Sequence, residues 1–282
     1  MALRPRGGRG ARRHLVCETI ERSVSDLEGQ CELLRSLHVP GSPLVLPNAW
    51  DVATAKAVEA AGFPVVATTS AGVAPALGYE DHEGAPGEEM LAAAARISRS
   101  VDVPVTVDAE AGYGMDPGEL VAALKDVGAA GCNLEDTNHA DETLREPGQH
   151  AAWLRRVREA AADQDYGLVI NARIDVFLPT HGDAPQGELV PESLERAGAY
   201  LEAGADCVYP IAVWDKTALA DFMSVAPGPV NALPIPHALP PAELTELGVA
   251  RISYASLLHR HSMEHFETVL RSVAAGEPVE PG

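Results

Sequence analysis

The chain has little of several things, and each shortage argues against a class of protein. Of its 282 residues only four are cysteine, Cys17, Cys31, Cys132 and Cys207, and no two share C-x-x-C spacing. A disulfide framework has no support, and reduced thiols in a cytoplasmic protein are expected. Cys132 and Cys207 lie inside apolar runs, where a small core residue is the expected role rather than a nucleophile. No apolar run approaches the roughly 18 residues of a membrane span. Positive charge is scarce: 21 Lys and Arg stand against 41 Asp and Glu, a formal net charge of −20. That balance argues against nucleic acid and anionic membranes as partners. An acidic solvated surface accounts for most of it, and a metal site could draw on the rest. The N-terminus, MALRPRGGRGARRH, is basic and Gly-rich but has no apolar core of a secretory signal. Residues 1–13 hold Arg4, Arg6, Arg9, Arg12 and Arg13 with almost nothing to bury, and read as a flexible arm.

What is present is a repeat. Four times an apolar helical segment ends at a Gly and a β-rich run follows: AVEAAG-FPVVATTS at 57–70, ALKDVGAAG-CNLED at 123–136, AYLEAGAD-CVYPIA at 199–212 and ELTELGVA-RISYAS at 243–256. A Gly just past a helix takes a left-handed φ without a Cβ penalty. Four further runs, PLVLPN, VPVTVDAE, LVINAR and PVNAL, alternate with these and bring the strand candidates to eight. Most are almost continuously apolar, as parallel strands covered by helices are. The pattern predicts strands near 44–48, 65–70, 103–108, 131–135, 168–173, 207–211, 229–233 and 251–254. Helices are expected over 18–38, 51–61, 87–99, 117–127, 150–162, 191–203, 215–224, 240–247 and 257–275. Hydrophobic residues make up 46% of the chain, enough for a full core. The expected fold class is α/β, a (β/α)8 TIM barrel occupying 14–282 as a single domain with an N-terminal and a C-terminal helix. An open doubly wound sheet is the alternative, weakened because no G-x-G-x-x-G follows the first strand.

A barrel carries its chemistry at the C-terminal ends of its strands. Those ends here are Asn48 with Asp51, Thr68-Thr69-Ser70, Asp108-Ala109-Glu110, Glu135-Asp136, Asn171-Ala172-Arg173, and Asn231 on the seventh strand. Asp108 and Glu110 are two apart, so a continuous strand would point them the same way. Carboxylates held side by side repel unless a cation or proton intervenes. With Glu135 and Asp81 nearby, the set suits Mg²⁺, which takes one or two carboxylates and fills its shell with water. Arg173 offers a planar fork to a carboxylate or phosphonate. The plainer readings are that a lone D-x-E is common, that Asp136 caps the next helix, and that Arg173 pairs with a rim carboxylate.

Taken together, PNAWDVATAKAVEAAGFPVVATTSAGVAPALGYED, PVTVDAEAGYG, GAAGCNLED and INARIDVF resemble the isocitrate lyase/phosphoenolpyruvate mutase superfamily over roughly residues 40–255. The resemblance implies a TIM barrel whose last helix is often swapped between subunits of a homodimer or homotetramer. It implies a Mg²⁺ cofactor and a small carboxylate substrate. By position Asp108 resembles the direct Mg²⁺ ligand, Glu110 and Glu135 resemble carboxylates reaching the metal through water, and Asp81 an active-site aspartate. Thr69, Ser70 and Ala71 fall on the loop that holds the substrate carboxylate, and Arg173 resembles the substrate-binding arginine. Asn231 joins the substrate-binding candidates.

The departures concern the reaction. The carbon–carbon lyases carry a cysteine in the loop after strand 4, whereas Thr137 to His150 here contains none. The phosphonate-forming mutases have a histidine at the end of strand 6, which here reads YPIA. His139, Arg145 and His150 are the candidate replacements, with His139 nearest the barrel end; a solvated loop histidine is the plainer reading. The first expectation is a lyase that cleaves or forms a C–C bond of a small α-oxo or 2-hydroxy carboxylate through a metal-stabilised enolate. The alternatives are a P–C bond mutase or hydrolase of phosphonopyruvate type, and an inert barrel that binds a keto acid.

Overall fold

The computed structural model describes residues 26–234 and 239–279. The arm at 1–13, Cys17 and the first part of the helix expected at 18–38 lie outside the described residues. The elements run in the expected alternation. Helix α1 (Leu27–Ser36) precedes β1 (Leu44–Leu46), β2 (Asn48–Ala49) and α2 (Val52–Ala60). Next come β3 (Val66–Thr68), α3 (Ser70–Leu77), α4 (Gly87–Ser98), β4 (Val105–Asp108), α5 (Pro117–Val127) and β5 (Gly131–Glu135). A small hairpin, β6 (Thr137–Asn138) with β7 (Thr143–Leu144), leads into α6 (Pro147–Asp163) and β8 (Val169–Ile174). The chain ends with α7 (Gln186–Glu202), β9 (Cys207–Pro210), α8 (Lys216–Val225), β10 (Asn231–Ala232), α9 (Pro241–Glu246), β11 (Arg251–Ser253) and α10 (Leu257–Ala274).

All the barrel pairings are parallel. One set runs β2-β3-β4-β5-β8-β9 and another β1-β11-β10. The two join where β1 continues into β2 and where Val208 bridges Val230. The ring therefore closes, and the open-sheet alternative fails. The expected glycines end their helices as argued: Gly62, Gly128, Gly204 and Gly248 have φ of 85°, 77°, 103° and 86°.

Three expectations need correction. Residues 70–77 form α3, so Ser70 opens a helix rather than ending a strand, and Ala71 lies in that helix rather than on a loop. The expected helices include none over SAGVAPAL, which Gly78 closes at φ 94°. Asp51 is not part of the rim chemistry, because its carboxylate accepts from Thr54 N at 2.7 Å and caps α2. Strand β4 stops at Asp108, so Glu110 sits on a turn at φ 47° and the pleat does not align the two carboxylates.

Helix α1 closes the N-terminal end of the barrel. Arg35 donates to Gly167 O at 2.9 Å and Leu168 O at 3.2 Å, just ahead of β8. Leu34 is fully buried, and a Cβ on Gly131 would come within 2.7 Å of it and of Val169 O. Burying such a leucine contributes about 1.5–3 kcal/mol. Cys31, Cys132 and Cys207 are buried free thiols, and burial pushes their pKa values up, that of Cys31 to about 11 and the other two to about 12. That fits the inert core role expected of Cys132 and Cys207, and Cys31 shares it. No described helix is long and apolar enough to cross a membrane.

Candidate active site

The C-terminal ends of β3, β4, β5 and β8 and the loops after them build one mouth. Asp108 closes β4, where the strand register sets it beside Asn133 of β5. One of its oxygens accepts from Ser70 N at 2.9 Å, so the first turn of α3 holds it. The other, Oδ1, is buried with no partner among the described residues, and so is Oδ1 of Asp81. A buried carboxylate oxygen left alone costs the full desolvation of a charged group, so such atoms mark places that a cation or water completes.

Glu110 reaches the same mouth from the turn after β4. It is 2% exposed and accepts from Glu83 N at 2.6 Å. Burial, then the neighbouring Asp108, Asp81 and Glu135 charges, push its pKa up to about 8 against the single lowering bond from Glu83. Glu83 in turn accepts from Tyr113 N at 2.6 Å, pinning the 79–84 loop to the 109–114 turn. His82, Glu83, Glu110 and Tyr113 all have left-handed φ, at 65°, 57°, 47° and 56°. Strained non-glycine residues cost about 1–3 kcal/mol each and cluster at functional sites.

Glu135, the last residue of β5, bridges two partners. Its Oε1 lies 2.5 Å from His139 Nε2 and its Oε2 lies 2.5 Å from Arg173 Nη1. The contact with His139 needs one proton, held by either the imidazole or the carboxyl. Burial pushes the Glu135 pKa well up, against the pull of Arg173. The His139 side chain is only 7% exposed, so the solvated-loop reading fails. Across the mouth its ring stands 5.4 Å from that of His82.

Arg173 is not a free fork. Its Nε and Nη2 meet Asp175 at 2.6 and 2.8 Å while Nη1 meets Glu135. The plainer expectation of a rim ion pair therefore holds for this side chain as it stands. Burial alone would raise Asp175, but Arg173 and the Thr137 hydroxyl hold its carboxyl below the ordinary range. Thr137 donates its one hydroxyl hydrogen to Asp175 at 2.5 Å, so His181 Nε2, 3.1 Å from the same oxygen, must be the donor in that contact.

Other candidates lie elsewhere. Asp136 does not cap a helix: it is fully buried, taking Arg196 Nη1 at 3.0 Å, the Tyr200 hydroxyl at 2.6 Å and Asp175 N at 2.9 Å. His150 is a core residue between Trp153 and Tyr200, and burial, then Arg145, depress its pKa to about 3. Asn231 is fully buried with its amide engaged by Ser253 at 3.0 Å. Thr69 and Ser70 are buried beside the mouth, and Ala71 is half-buried. Asp175, Thr137, His82 and His181 were not singled out in the sequence. Asp175 carried a signal, since it stands two residues beyond Arg173 near the end of one strand; His181, on a 3-10 turn at Pro179–His181, carried none.

The residues fit a hard cation. The donors are all oxygens, two of them buried without partners. Among the described residues no three His, Cys, Asp or Glu side chains converge tightly enough to hold an ion by themselves. A bound ion would thus take one or two carboxylates and complete its shell with water, as Mg²⁺ commonly does.

A closed parallel barrel with a carboxylate-lined mouth at its C-terminal end is the class this fold and site define. A family model described as phosphoenolpyruvate phosphomutase matches residues 34–274. The chain belongs to that family, within the isocitrate lyase/phosphoenolpyruvate mutase superfamily. It is 35% identical over 242 residues to an uncharacterised protein of Mycobacterium tuberculosis, covering 86% of this chain and 88% of that one. A Corynebacterium glutamicum protein named probable 2-methylisocitrate lyase 2 is 30% identical over 240 residues, covering 81% and 76%. The crystal structure of a candidate phosphonomutase from Burkholderia cenocepacia superposes with a TM-score of 0.81 at 36% identity, covering 86% of this chain and 99% of that one.

Proposed function

We propose that this barrel is a Mg²⁺-dependent lyase that breaks or makes a C–C bond next to a small α-oxo or 2-hydroxy carboxylate. The observation that carries the reading is the pair of orphaned buried oxygens on Asp81 and Asp108, in a mouth that also holds Glu110 and Glu135, beside a buried His139–Glu135 contact. Asp108 is the direct ligand in this reading, with Glu110, Glu135 and Asp81 around it. The cation supplies positive charge for substrate oxygens that become more negative as the bond breaks. At the start of α3 the Ser70 N–H is taken by Asp108, and the backbone N–H groups of Thr69 and Ala71 are those offered to the substrate carboxylate in this reading. Arg173, held by Asp175, orients Glu135 from Nη1. The single proton in the His139–Glu135 contact is the one moved to or from the substrate, which supplies the acid or base that the cysteine-free loop otherwise lacks.

The phosphonate alternative asks for free positive charge, and the Arg173 guanidinium is already bracketed by Asp175 and Glu135. The test is a screen with Mg²⁺ of 2-methylisocitrate-like, dimethylmalate-like, oxaloacetate and phosphonopyruvate substrates. Release of a 2-oxo acid or of oxalate supports the lyase. Phosphoryl migration or inorganic phosphate from phosphonopyruvate alone would replace it, and no turnover with no metal binding would leave an inert barrel.

Assembly belongs to the same proposal. Helix α10 has no buried residue, and Met263, Phe266, Leu270 and Val273 on it are between 43% and 53% exposed. A second copy of the chain is the occupant that the family membership favours. Sedimentation at micromolar concentration should show a dimer or tetramer, and a monomer would remove this part.

A further inference from the structure

Beneath the mouth lies a second polar layer that the reaction above does not use. Asn133 and Asn171 face each other in register on β5 and β8, two residues before Glu135 and Arg173. Asn133 Oδ1 accepts from Asn171 Nδ2 at 2.8 Å and from Arg251 Nη2 at 3.2 Å. Arg251 belongs to β11, four strands away from β5 in either direction round the ring. A contact between opposite strands can only pass through the barrel interior, so the Arg251 side chain spans the barrel under the carboxylates. It is 1% exposed, and its Nε and Nη1 have no partner among the described residues. Among the described residues no carboxylate pairs with it within ion-pair distance. An isolated buried guanidinium costs several kcal/mol unless opposite charge or water compensates. The opposite charge nearest at hand is the acidic mouth one layer up, about 7 Å along the strands.

We propose that Arg251 is the internal counter-charge of the carboxylate mouth: it holds the cluster together when no cation is bound and weakens the cluster's grip on a cation when one is. The second half rests on the metal reading above; the first does not. Sign and size follow from Coulomb's law. A fixed positive charge one layer below the carboxylates would repel a divalent ion held by them, and for a separation of about 7 Å even the dielectric of water would make the loss about tenfold in affinity.

Two measurements decide it. In metal-free protein, thermal unfolding of Arg251→Gln, Asp108→Asn and the double variant forms a cycle. The loss of melting temperature on removing Arg251 should be clearly smaller once Asp108 is neutral; equal losses would overturn the counter-charge. Then Mn²⁺ is titrated by calorimetry or by its paramagnetic resonance signal. Arg251→Gln should bind it about tenfold more tightly than the parent, and Arg251→Lys within about threefold of it, since lysine keeps the charge. Equal or weaker binding by Arg251→Gln would mean that Arg251 only packs. If Gln is not tolerated, Arg251→Met is put through both measurements with the same two outcomes expected. A parent that binds no Mn²⁺ removes the metal reading and leaves the metal-free cycle to judge Arg251.

Discussion

Asp136 and Asp108 are both aspartates at barrel strand ends, and their surroundings are opposite. Asp136 is complete: a guanidinium, a tyrosine hydroxyl and a backbone N–H satisfy it in a fully buried pocket behind the barrel wall. Asp108 has one oxygen held by Ser70 N and the other buried alone. A satisfied carboxylate ties β5 to α7, and an unsatisfied one waits for a ligand. Glu135, the last residue of β5, turns to His139 and Arg173 at the mouth, whereas Asp136 just after it turns to Arg196 and Tyr200 of α7.

The largest effect that could break this contrast is on turnover. Asp108→Asn is nearly isosteric, so the fold should survive while divalent-cation binding is lost. Turnover on the substrate found by screening should fall about a thousandfold, equivalent to roughly 4 kcal/mol of transition-state stabilisation. Calorimetric Mg²⁺ binding by Asp108→Asn as tight as by the parent would show that the open oxygen is not the ligand.

Asp136→Ala should show the reverse profile. It takes away the buried partner of Arg196 and leaves only the exposed Glu192, so the loss should approach the ~3–5 kcal/mol of a broken buried pair. Urea unfolding should reveal the loss, while Mg²⁺ affinity of the folded fraction stays near that of the parent. A selective loss of cation binding with normal stability would erase the distinction between the two aspartates.

A smaller effect sharpens the role of the histidine. His139→Gln keeps a donor to Glu135 but no titratable nitrogen. General acid–base catalysis contributes about a hundredfold or more, so kcat should fall by at least that much with substrate KM little changed. A variant as fast as the parent would return His139 to an ordinary buried contact.

The smallest effect is in pH. The Glu110 pKa is raised to about 8 in the fold and that of Asp136 to about 6. Groups whose folded pKa lies above the unfolded value favour the folded state below the unfolded pKa and lose that contribution as pH rises through the folded one. Metal-free protein should therefore lose melting temperature between about pH 5 and 8, and Mg²⁺ should remove most of the slope by replacing the proton as the neutralising charge. A metal-free melting temperature that rises over that range would contradict the crowding of Glu110.

The repeat of helix, glycine and strand was enough to predict a barrel, because each unit is specified by neighbours in sequence: apolar periodicity, a cap, a left-handed Gly62 or Gly128. The rim positions of Asp108, Glu135 and Arg173 followed from strand ends alone. Helix α3 was not legible, since its composition suits either state and the packing of its small residues decides. The role of His139 was legible only as proximity to a barrel end, and that of His181 not at all, because its partner Thr137 is 44 residues away.

Local sequence determined the strand ends that carry Asp108, Glu135 and Arg173 to the mouth. The tertiary structure decided what each carboxylate does there. Arg196 closes on Asp136 from 60 residues on, and Arg251 reaches Asn133 across the barrel from 118 residues on. Whether a buried charge is neutralised depends on those distant partners, and no periodicity along the chain encodes which oxygen they leave open.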